Sequence, residues 1–282
     1  MNGEPSLTYV YAVADPTPEL GEPPADLRGV DDAPVALLLP DRAGPAGPAF
    51  VVSRVSAGHW GAEVLRSRFE DLDWLDGTAR AHHHVIQALM DRTTVLPLRL
   101  ATLYQDDDRA REALRDQREV FAARLALLAH HTEYGVKVYV AADDTPRSRA
   151  DDPAHHGGAP AAQSPGKAYL QARRAQHHAR EERYLRARRA VERIAATAAQ
   201  HATHVVRHPA QSGPLSPREN GENVLNDAYL VPDDRVEAFR SALRQVGQDL
   251  TGVRVEVTGP WAPYSFAMPA SPPTDTAAPP GP

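Results

Sequence analysis

The hydrophobic pattern at the start of the chain predicts β-strands. Residues 7–13 form an apolar and aromatic run that is closed by Asp15-Pro16, which is typical of a strand. A segment rich in Pro, Gly and acidic residues follows, and then residues 35–39 and 49–55 form two more apolar runs around a turn-forming stretch. The pattern therefore predicts a first strand followed by a hairpin.

Beyond Trp60 the apolar residues recur every three or four positions, which is the period of an α-helix. One such stripe predicts a helix that ends near Asp91 and consists of Leu75, Ala79, His82, Ile86 and Leu89. Residues 95–100 are predicted to be extended. A second stripe predicts one further helix and consists of Ala110, Leu114, Phe121, Leu125 and Leu128. Together these elements indicate a first α+β unit.

The second half of the chain has a recognisable order of elements. Strands are predicted for residues 134–141, 203–207, 224–231 and 253–257, and helices for residues 167–201 and 233–246. This order is β-α-β-β-α-β, the ferredoxin-like arrangement, in which both helices cover one face of an antiparallel sheet. We expect the other face of that sheet to remain free for a partner.

The fold class predicted from these patterns is α+β with two domains. The first, residues 1–132, is expected to be a smaller antiparallel sheet packed with helices, and the second, residues 133–266, a ferredoxin-like unit. Residues 143–165 are rich in Pro, Gly, Ala, Ser and charge, so we expect a mobile insertion there. Residues 267–282 are expected to be a disordered, Pro-rich tail.

Composition excludes several classes of protein. Apolar residues make up 42% and charged residues 24% of the 282 residues, which is the balance of a globular protein. No apolar run approaches the roughly 18 residues that a membrane-spanning helix needs, and no secretory signal is visible at the N-terminus. Cysteine is absent, which removes disulfides and thiolate sites. We expect a cytoplasmic location.

The net charge of −6 is spread unevenly along the chain. Residues 167–193 hold nine Lys or Arg against three Glu, so the rest of the chain is strongly acidic. One interpretation of this predicted helix is a solvated face; the other is a docking surface for an acidic partner or for nucleic acid. Arg173, Arg174 and Arg180 are the candidate contact residues. Nucleic acid is not expected, because no RNA-binding aromatic signature accompanies the arginines.

Motifs for catalysis are mostly missing. Neither phosphate-cradling loop, GxxxxGK[ST] or GxGxxG, occurs, and no GxSxG elbow is present. Consecutive His82, His83 and His84 point about 100° apart on a helix and cannot all bind one ion, so we interpret His82 as a buried histidine with a hydrogen-bond partner. His204 and His208 would share one face of a strand but have no nearby ligand in sequence. We expect no enzyme activity, cofactor or metal.

The most individual segment of the chain follows the last predicted strand. It reads Thr258-Gly-Pro-Trp-Ala-Pro-Tyr-Ser-Phe266 and contains two prolines and three aromatic residues. Such a segment cannot continue a strand, but it can fold back rigidly and pack its rings against a sheet. We expect Trp261 to be buried against the second domain. Trp261, Tyr264 and Phe266 are candidate protein-interaction residues.

This segment closely resembles the terminal motif of the gas vesicle protein F/L family (GvpL/GvpF), accessory proteins of gas vesicle formation. Further matches lie in the same order: Tyr9-Val-Tyr11, Trp74-Leu75 with His82, Val95-Leu-Pro-Leu-Arg99, Gly135-Val-Lys-Val138, Gly166-Lys-Ala-Tyr-Leu170 and Val224-Leu-Asn-Asp-Ala-Tyr-Leu-Val231. The resemblance covers residues 7–266. The family usually has Phe-Gly where this chain has Leu100-Ala101, which puts a glycine-dependent turn at that point in question.

The resemblance implies a two-domain α+β protein without a known reaction, which is needed to build gas vesicles. It implies contact with the small apolar shell protein and with other accessory proteins. Two other hypotheses stay open on the residues alone. One is a ligand-sensing or nucleic-acid-binding ferredoxin-like protein that uses the Arg-rich helix 167–193, and the other is a metal-dependent enzyme built on His82 to His84. Oligomeric state and permanence in the vesicle are not predicted.

Overall fold

A computed structural model of the protein describes residues 5–15, 26–40, 47–140, 165–210, 221–250 and 252–267. The chain divides into two compact units, of which the first contains Met1–Glu133 and Pro260–Pro282 and the second contains Tyr134–Gly259. Residues 260–266, which we expected in the second domain, thus belong to the first unit. Nearly all of the predicted insertion, up to residue 164, and the predicted tail from residue 268 lie outside the described residues.

The described residues contain eight strands and eight α-helices. In chain order the elements are β1 (Ser6–Ala14), β2 (Ala36–Leu38), β3 (Ala49–Ser56), α1 (Ala57–Trp60), α2 (Ala62–Arg68), α3 (Leu72–Met90), β4 (Val95–Tyr104), α4 (Asp107–Asp116), α5 (Arg118–Leu128), β5 (His131–Val140), α6 (Pro165–Ala199), β6 (His204–Arg207), β7 (Glu222–Pro232), α7 (Val236–Gln248), β8 (Val253–Trp261) and α8 (Tyr264–Ala267). The mixed α+β class predicted from the sequence is confirmed.

Both units are built on a four-stranded antiparallel sheet. The order in the first sheet is β2-β3-β1-β4, and the order in the second is β6-β7-β5-β8. Counted within each unit, both orders are 2-3-1-4, which is the order that the split βαβ arrangement produces. The ferredoxin-like arrangement predicted for the second half is therefore present, and the first sheet shares its strand order.

The second predicted helix of the first unit is divided into two. Gln117 leaves the helical conformation with a φ of −104° and a ψ of 12°, so α4 ends at Asp116 and α5 begins at Arg118. Ala110 and Leu114 are the buried residues of α4, whereas α5 buries Phe121, Leu125 and Leu128. The three-to-four-residue period continued across the break, which is why the sequence alone indicated a single helix.

Aromatic side chains fill the centre of the first unit. The ring of Tyr9 lies 4.8 Å from that of Tyr11 and 5.0 Å from that of Trp60, measured between centroids, and all three side chains are almost completely buried. His82 of α3 packs against the same tyrosines at 5.8 Å and 5.5 Å. Contacts between side-chain rings thus connect β1 to α3.

A chain of hydrogen bonds links three elements at this point. The backbone N–H of Ala101 in β4 donates to the hydroxyl of Tyr9 at 3.2 Å, and this hydroxyl lies 2.8 Å from Nδ1 of His82. Since the tyrosine oxygen accepts from Ala101, its own proton is assigned to Nδ1, which makes His82 the Nε2–H tautomer. His82 therefore has the structural role that the sequence indicated.

Burial keeps the ring of His82 neutral. Loss of solvent lowers its pKa from the usual 6.5 to about 4, although the backbone at Leu98 acts in the opposite direction. The Nε2 atom has no well-aligned hydrogen-bond partner among the described residues. Protonation would place a positive charge on a buried ring that solvent cannot reach, which costs free energy in an apolar interior.

Ala101 occupies a backbone conformation that normally favours glycine, with a φ of 59°. It lies where the pairing of β1 with β4 shifts register, between the pairs Val10 with Thr102 and Ala12 with Pro97. The left-handed turn is therefore formed although this chain has alanine at the position. Its N–H would not point at Tyr9 without this turn, so the strained backbone is tied to the buried hydrogen-bond chain.

The second unit buries the helix-facing side of its sheet. Tyr134, Val136 and Val138 of β5 pack with Phe239 and Leu243 of α7. The helix α6 contributes a stripe of buried residues in its last third, which consists of Ala187, Ala190, Ile194 and Ala198. A helix-packed sheet with the predicted helices is thus observed.

The opposite face of this sheet is not free along its length, which corrects the sequence prediction. Side chains alternate between the two faces of a strand, so Tyr139, Ala228 and Leu230 point away from the helices. All three are buried, and Leu230 has no exposed surface. Alternation identified the two faces correctly, but it could not show which parts of the second face would be covered by other residues.

We expect Ala101→Gly to stabilise the protein. A non-glycine residue in the left-handed region costs roughly 1–2 kcal/mol. Glycine removes this cost, but its greater freedom in the unfolded chain offsets part of the stabilisation. The free energy of unfolding in urea should rise by about 1 kcal/mol. The matched control is Ala122→Gly at an exposed position within α5, which should lower stability by about 1 kcal/mol. A loss of stability in Ala101→Gly would contradict this account of the turn.

Stability should fall between pH 6.5 and pH 4 because of His82. In this range the unfolded chain binds a proton at this residue, whereas the folded protein, with its pKa of about 4, does not. The contribution amounts to about 3 kcal/mol. In His82→Asn, which keeps an acceptor for Tyr9, this part of the pH dependence should disappear. Urea titrations from pH 7 to pH 4 measure it, with the exposed His84→Asn as a control that should keep the wild-type slope.

Candidate protein-interaction site

The distinctive end motif lies on the first unit. Strand β8 ends at Trp261, and after Ala262 and Pro263 the short helix α8 begins at Tyr264. From Pro260 onward these residues belong to the first compact unit. Strand β8 includes Gly259 and Pro260, which corrects our expectation that this segment cannot continue a strand. After Pro263, which lacks an N–H group, the chain turns back onto the unit.

Half of the motif is an anchor. Ala262 has no exposed surface and belongs to the same hydrophobic core as Tyr9, Trp60 and Ile86. Pro263, Phe266 and Ala267 are buried as well. These side chains hold the segment by the same apolar burial that stabilises the rest of the core.

A buried carboxylate fixes the segment further. Glu133, which is only 7% exposed, accepts a hydrogen bond from the backbone N–H of Ser265 at 2.9 Å. It accepts a second from the Oγ hydroxyl of Ser265 at 2.7 Å. Both bonds bridge 132 residues of sequence within the first unit. A carboxylate removed from water needs such partners, so Ser265 is held in one position.

The other half of the motif faces solvent. Trp261 is 42% exposed and Tyr264 is 40% exposed. The ring of His83 lies 6.3 Å from each of them, and it is nearly parallel to that of Tyr264, at 27°. We call these three residues, Trp261, Tyr264 and His83, the aromatic surface.

Trp261 and Tyr264 bring no charge to the aromatic surface. Partial burial raises the pKa of Tyr264 to about 12, so its phenol stays neutral over the physiological range. The buried His82, next in sequence to His83, is also neutral at pH 7 because its pKa is about 4. The surface is therefore apolar and aromatic, with the polar tips that such rings provide.

Trp261 corrects a prediction from the sequence. We expected it to be buried against the second domain, but it lies in the first unit and is partly exposed. The next residue, Ala262, takes the buried position, and neighbouring residues of an extended chain point to opposite sides. Phe266 is buried as a capping residue should be, so the capping interpretation applies to it and fails for Trp261.

His83 is the functional candidate that sequence reasoning missed. The sequence placed His82 on the buried stripe of α3, and a neighbouring helical residue points about 100° away. This offset was the available signal that His83 would lie at the margin of the helix. Its two aromatic neighbours come from the far end of the chain and could not be inferred from local spacing.

The Arg-rich helix belongs to the second unit. Arg173 and Arg174 are exposed, as is every described side chain of α6 before Ala187. The side chain of Arg180 lies outside the described residues. Further along, Arg188 pairs with the exposed Glu192 at 3.1 Å. The arginine candidates and the aromatic candidates therefore do not share one unit.

The described residues show no metal centre. They contain no group of three or more His, Asp or Glu side chains that could hold an ion. Among them, no helix is both long and apolar enough to cross a membrane. His204 and His208 are exposed, and His82 is engaged by Tyr9.

Comparisons with known proteins identify the family. The family described as "Gas vesicle synthesis protein GvpL/GvpF" matches residues 7–268. Gas vesicle protein L of Streptomyces sp. (strain CB03234) is 40% identical over 261 residues, which cover 93% of this chain and 92% of that protein. Gas vesicle protein F of the same strain is 28% identical over 271 residues, covering 92% of this chain and 98% of that protein.

Solved structures show the same fold. The crystal structure of the gas vesicle protein GvpF from Anabaena sp. PCC7120 aligns with a TM-score of 0.60 at 19% identity, over 94% of this chain and 98% of that chain. GvpF from Microcystis aeruginosa aligns with a TM-score of 0.57 at 16% identity, over 93% and 99%. The match along residues 7–268 and the close relative agree with the fold, and the chain belongs to the GvpL/GvpF family of gas vesicle synthesis proteins.

Proposed function

We propose that this protein is a non-enzymatic accessory protein of gas vesicle assembly that binds the small apolar shell protein through the aromatic surface. It works in the cytoplasm in association with gas vesicles, together with other accessory proteins. The observation that carries the proposal is the exposure of Trp261 and Tyr264 on a segment whose other side chains are buried. Family membership supports a role in gas vesicle assembly, and the exposed rings support a contact with another protein.

Exposed rings of this kind suit protein recognition. Trp and Tyr are enriched among the residues that dominate binding energy at interfaces, where truncation of one can cost 2 kcal/mol or more. Each has only two rotatable side-chain bonds, so ordering it on binding costs little entropy. Here the rings are also next to an anchor made by Ala262, Phe266 and the Glu133–Ser265 hydrogen bonds. A preorganised surface loses less free energy when a partner binds.

The chemistry of the proposed partner fits an apolar surface. A shell subunit that will face gas on one side must expose apolar residues before it joins the shell. Such a surface aggregates unless another protein covers it or delivers it. The neutral rings of Trp261 and Tyr264 offer apolar contact without a charge that would have to be stripped of water.

Trp261→Ala combined with Tyr264→Ala should abolish this binding while leaving the fold intact. Shell protein recovered with the affinity-tagged chain after co-expression should fall at least about tenfold, in line with the loss of a binding hot spot. Because both rings are partly exposed, the free energy of unfolding should fall by much less than the roughly 3–5 kcal/mol for a buried aromatic residue.

Two controls separate binding from stability. Leu72→Ala removes a side chain elsewhere on the first unit that is 75% exposed. It should change neither the recovery of shell protein nor the free energy of unfolding. Phe266→Ala removes a buried anchor and should lower stability by about 3–5 kcal/mol. Wild-type recovery of shell protein by the double variant would refute the aromatic surface as the contact. Failure of the wild-type chain to recover shell protein would refute the function itself.

A further inference from the structure

Strand β8 forms one edge of the second sheet. It pairs with β5 on one side, and no other described strand pairs with it on the other. Within this unit it begins Val253-Arg-Val-Glu-Val257, a β-branched alternation that favours extended structure. An edge strand of this length presents unpaired backbone N–H and C=O groups to which another strand can bind.

A groove runs beside this edge, between β8 and α7. Its volume is about 460 Å³. The floor is apolar and consists of Leu243, Val253, Val255 and Val257, and the three valines are only partly buried. Gly247 brings the helix close to the strand at one end, since a Cβ there would lie 3.3 Å from Val255. Helix and strand are therefore in close contact at this point.

Two arginine side chains of α7, Arg240 and Arg244, line the groove, and no acidic residue does. Arg240 forms no ion pair with any described residue, and Arg244 pairs at 3.0 Å with Glu237, where both side chains are largely exposed. The side chain of Arg254, by contrast, pairs with Glu256 at 3.1 Å and lies over the ring of Tyr139 at 4.5 Å, on the face of the sheet away from α7. Exposed ion pairs contribute little energy, so Arg240 and Arg244 remain available to an anionic partner.

We infer that this groove binds an extended, acidic segment of a partner protein, which adds to the sheet as a fifth strand beside β8. The unpaired edge supplies main-chain hydrogen bonds, as in other cases of strand addition between an edge strand and a helix. The acidic side chains of the segment lie on the side of the strand that faces α7, so their methylene groups pack over the valine floor. Its Glu or Asp side chains pair with Arg240 and Arg244, whose forked guanidinium groups match carboxylates.

The spacing of the two arginines fits a strand. Arg240 and Arg244 are four residues apart on α7, which places them one turn or about 6 Å apart along the helix axis. Alternate residues of a strand lie on the same side and are about 6.8 Å apart. Two carboxylates at alternate positions of the added strand can therefore meet the two arginines at once.

The inference does not depend on the proposed function. The groove consists of residues of the second unit, whereas the aromatic surface belongs to the first. The acidic segment need not come from the shell protein. If binding at one of the two surfaces were lost, binding at the other could consequently still be measured on the same chain.

A fluorescent nine-residue peptide that alternates Val and Glu tests the inference on the full-length protein. Fluorescence anisotropy should show saturable binding that weakens at least tenfold in the double variant Arg240→Glu and Arg244→Glu. Both arginines are exposed, so thermal melting should show that the variant remains folded. The same peptide with Lys in place of Glu, or with N-methyl groups that remove its main-chain donors, should bind at least tenfold more weakly.

The matched control reverses the same charge elsewhere in the same unit. Arg173→Glu with Arg174→Glu alters two exposed arginines of α6 and should leave peptide affinity within about twofold of wild type. If both double variants weakened peptide binding equally, the peptide would be attracted by the overall charge of the protein, and the groove would be overturned as the site. Unchanged binding of the N-methylated peptide would overturn strand addition.

The same peptide and variants also test two other possible ligands of the groove, a single-stranded RNA and a second copy of the chain. A short single-stranded RNA that bound more tightly than the acidic peptide and displaced it would assign the arginines to nucleic acid and overturn the inference. A dimer of the chain in solution that excluded the peptide, and that persisted in Arg240→Glu with Arg244→Glu, would show that a second copy covers the edge. Absence of peptide binding by the wild-type protein would overturn the inference outright.

Discussion

The proposed interaction surface depends on one buried carboxylate. Glu133 ends the first continuous part of the first unit, and its two hydrogen bonds hold Ser265 between Tyr264 and Phe266. Because the carboxylate is almost without solvent, leaving it unpaired would cost a few kcal/mol. This cost fixes the segment, and the segment in turn determines that Phe266 points inward while Tyr264 points outward.

Much of the fold could be predicted from residue patterns, because local periodicity reports which side of an element is apolar. The strand order of the second sheet follows from the order of its predicted elements, and His82 was assigned correctly to the buried stripe of α3. The division at Gln117 was missed because the apolar period continues across it. Ala101 was singled out only through the family resemblance, which implies a glycine at that position.

The candidate site was predicted less well, since exposure depends on contacts between distant parts of the chain. Composition showed that residues 258–266 would be rigid and aromatic, but not which unit they would join. Whether Trp261 or Ala262 fills the core is decided by the space left among Tyr9, Trp60 and Ile86. The arginine groove was also missed, because Arg240 and Arg244 face the valines of β8 only when α7 packs beside that strand.

The route of the chain has a consequence for biosynthesis. The chain leaves the first unit within β5 and returns to it within β8, so the second unit is inserted into the first. A nascent chain that has passed Gly259 but not reached Ala262 can complete the second unit, but it lacks a residue of the first unit's core. Domains fold as units during synthesis, and here the synthesis of the second unit is complete before that of the first. The aromatic surface is thus displayed only by chains whose synthesis has passed both units, which keeps incomplete chains from presenting it.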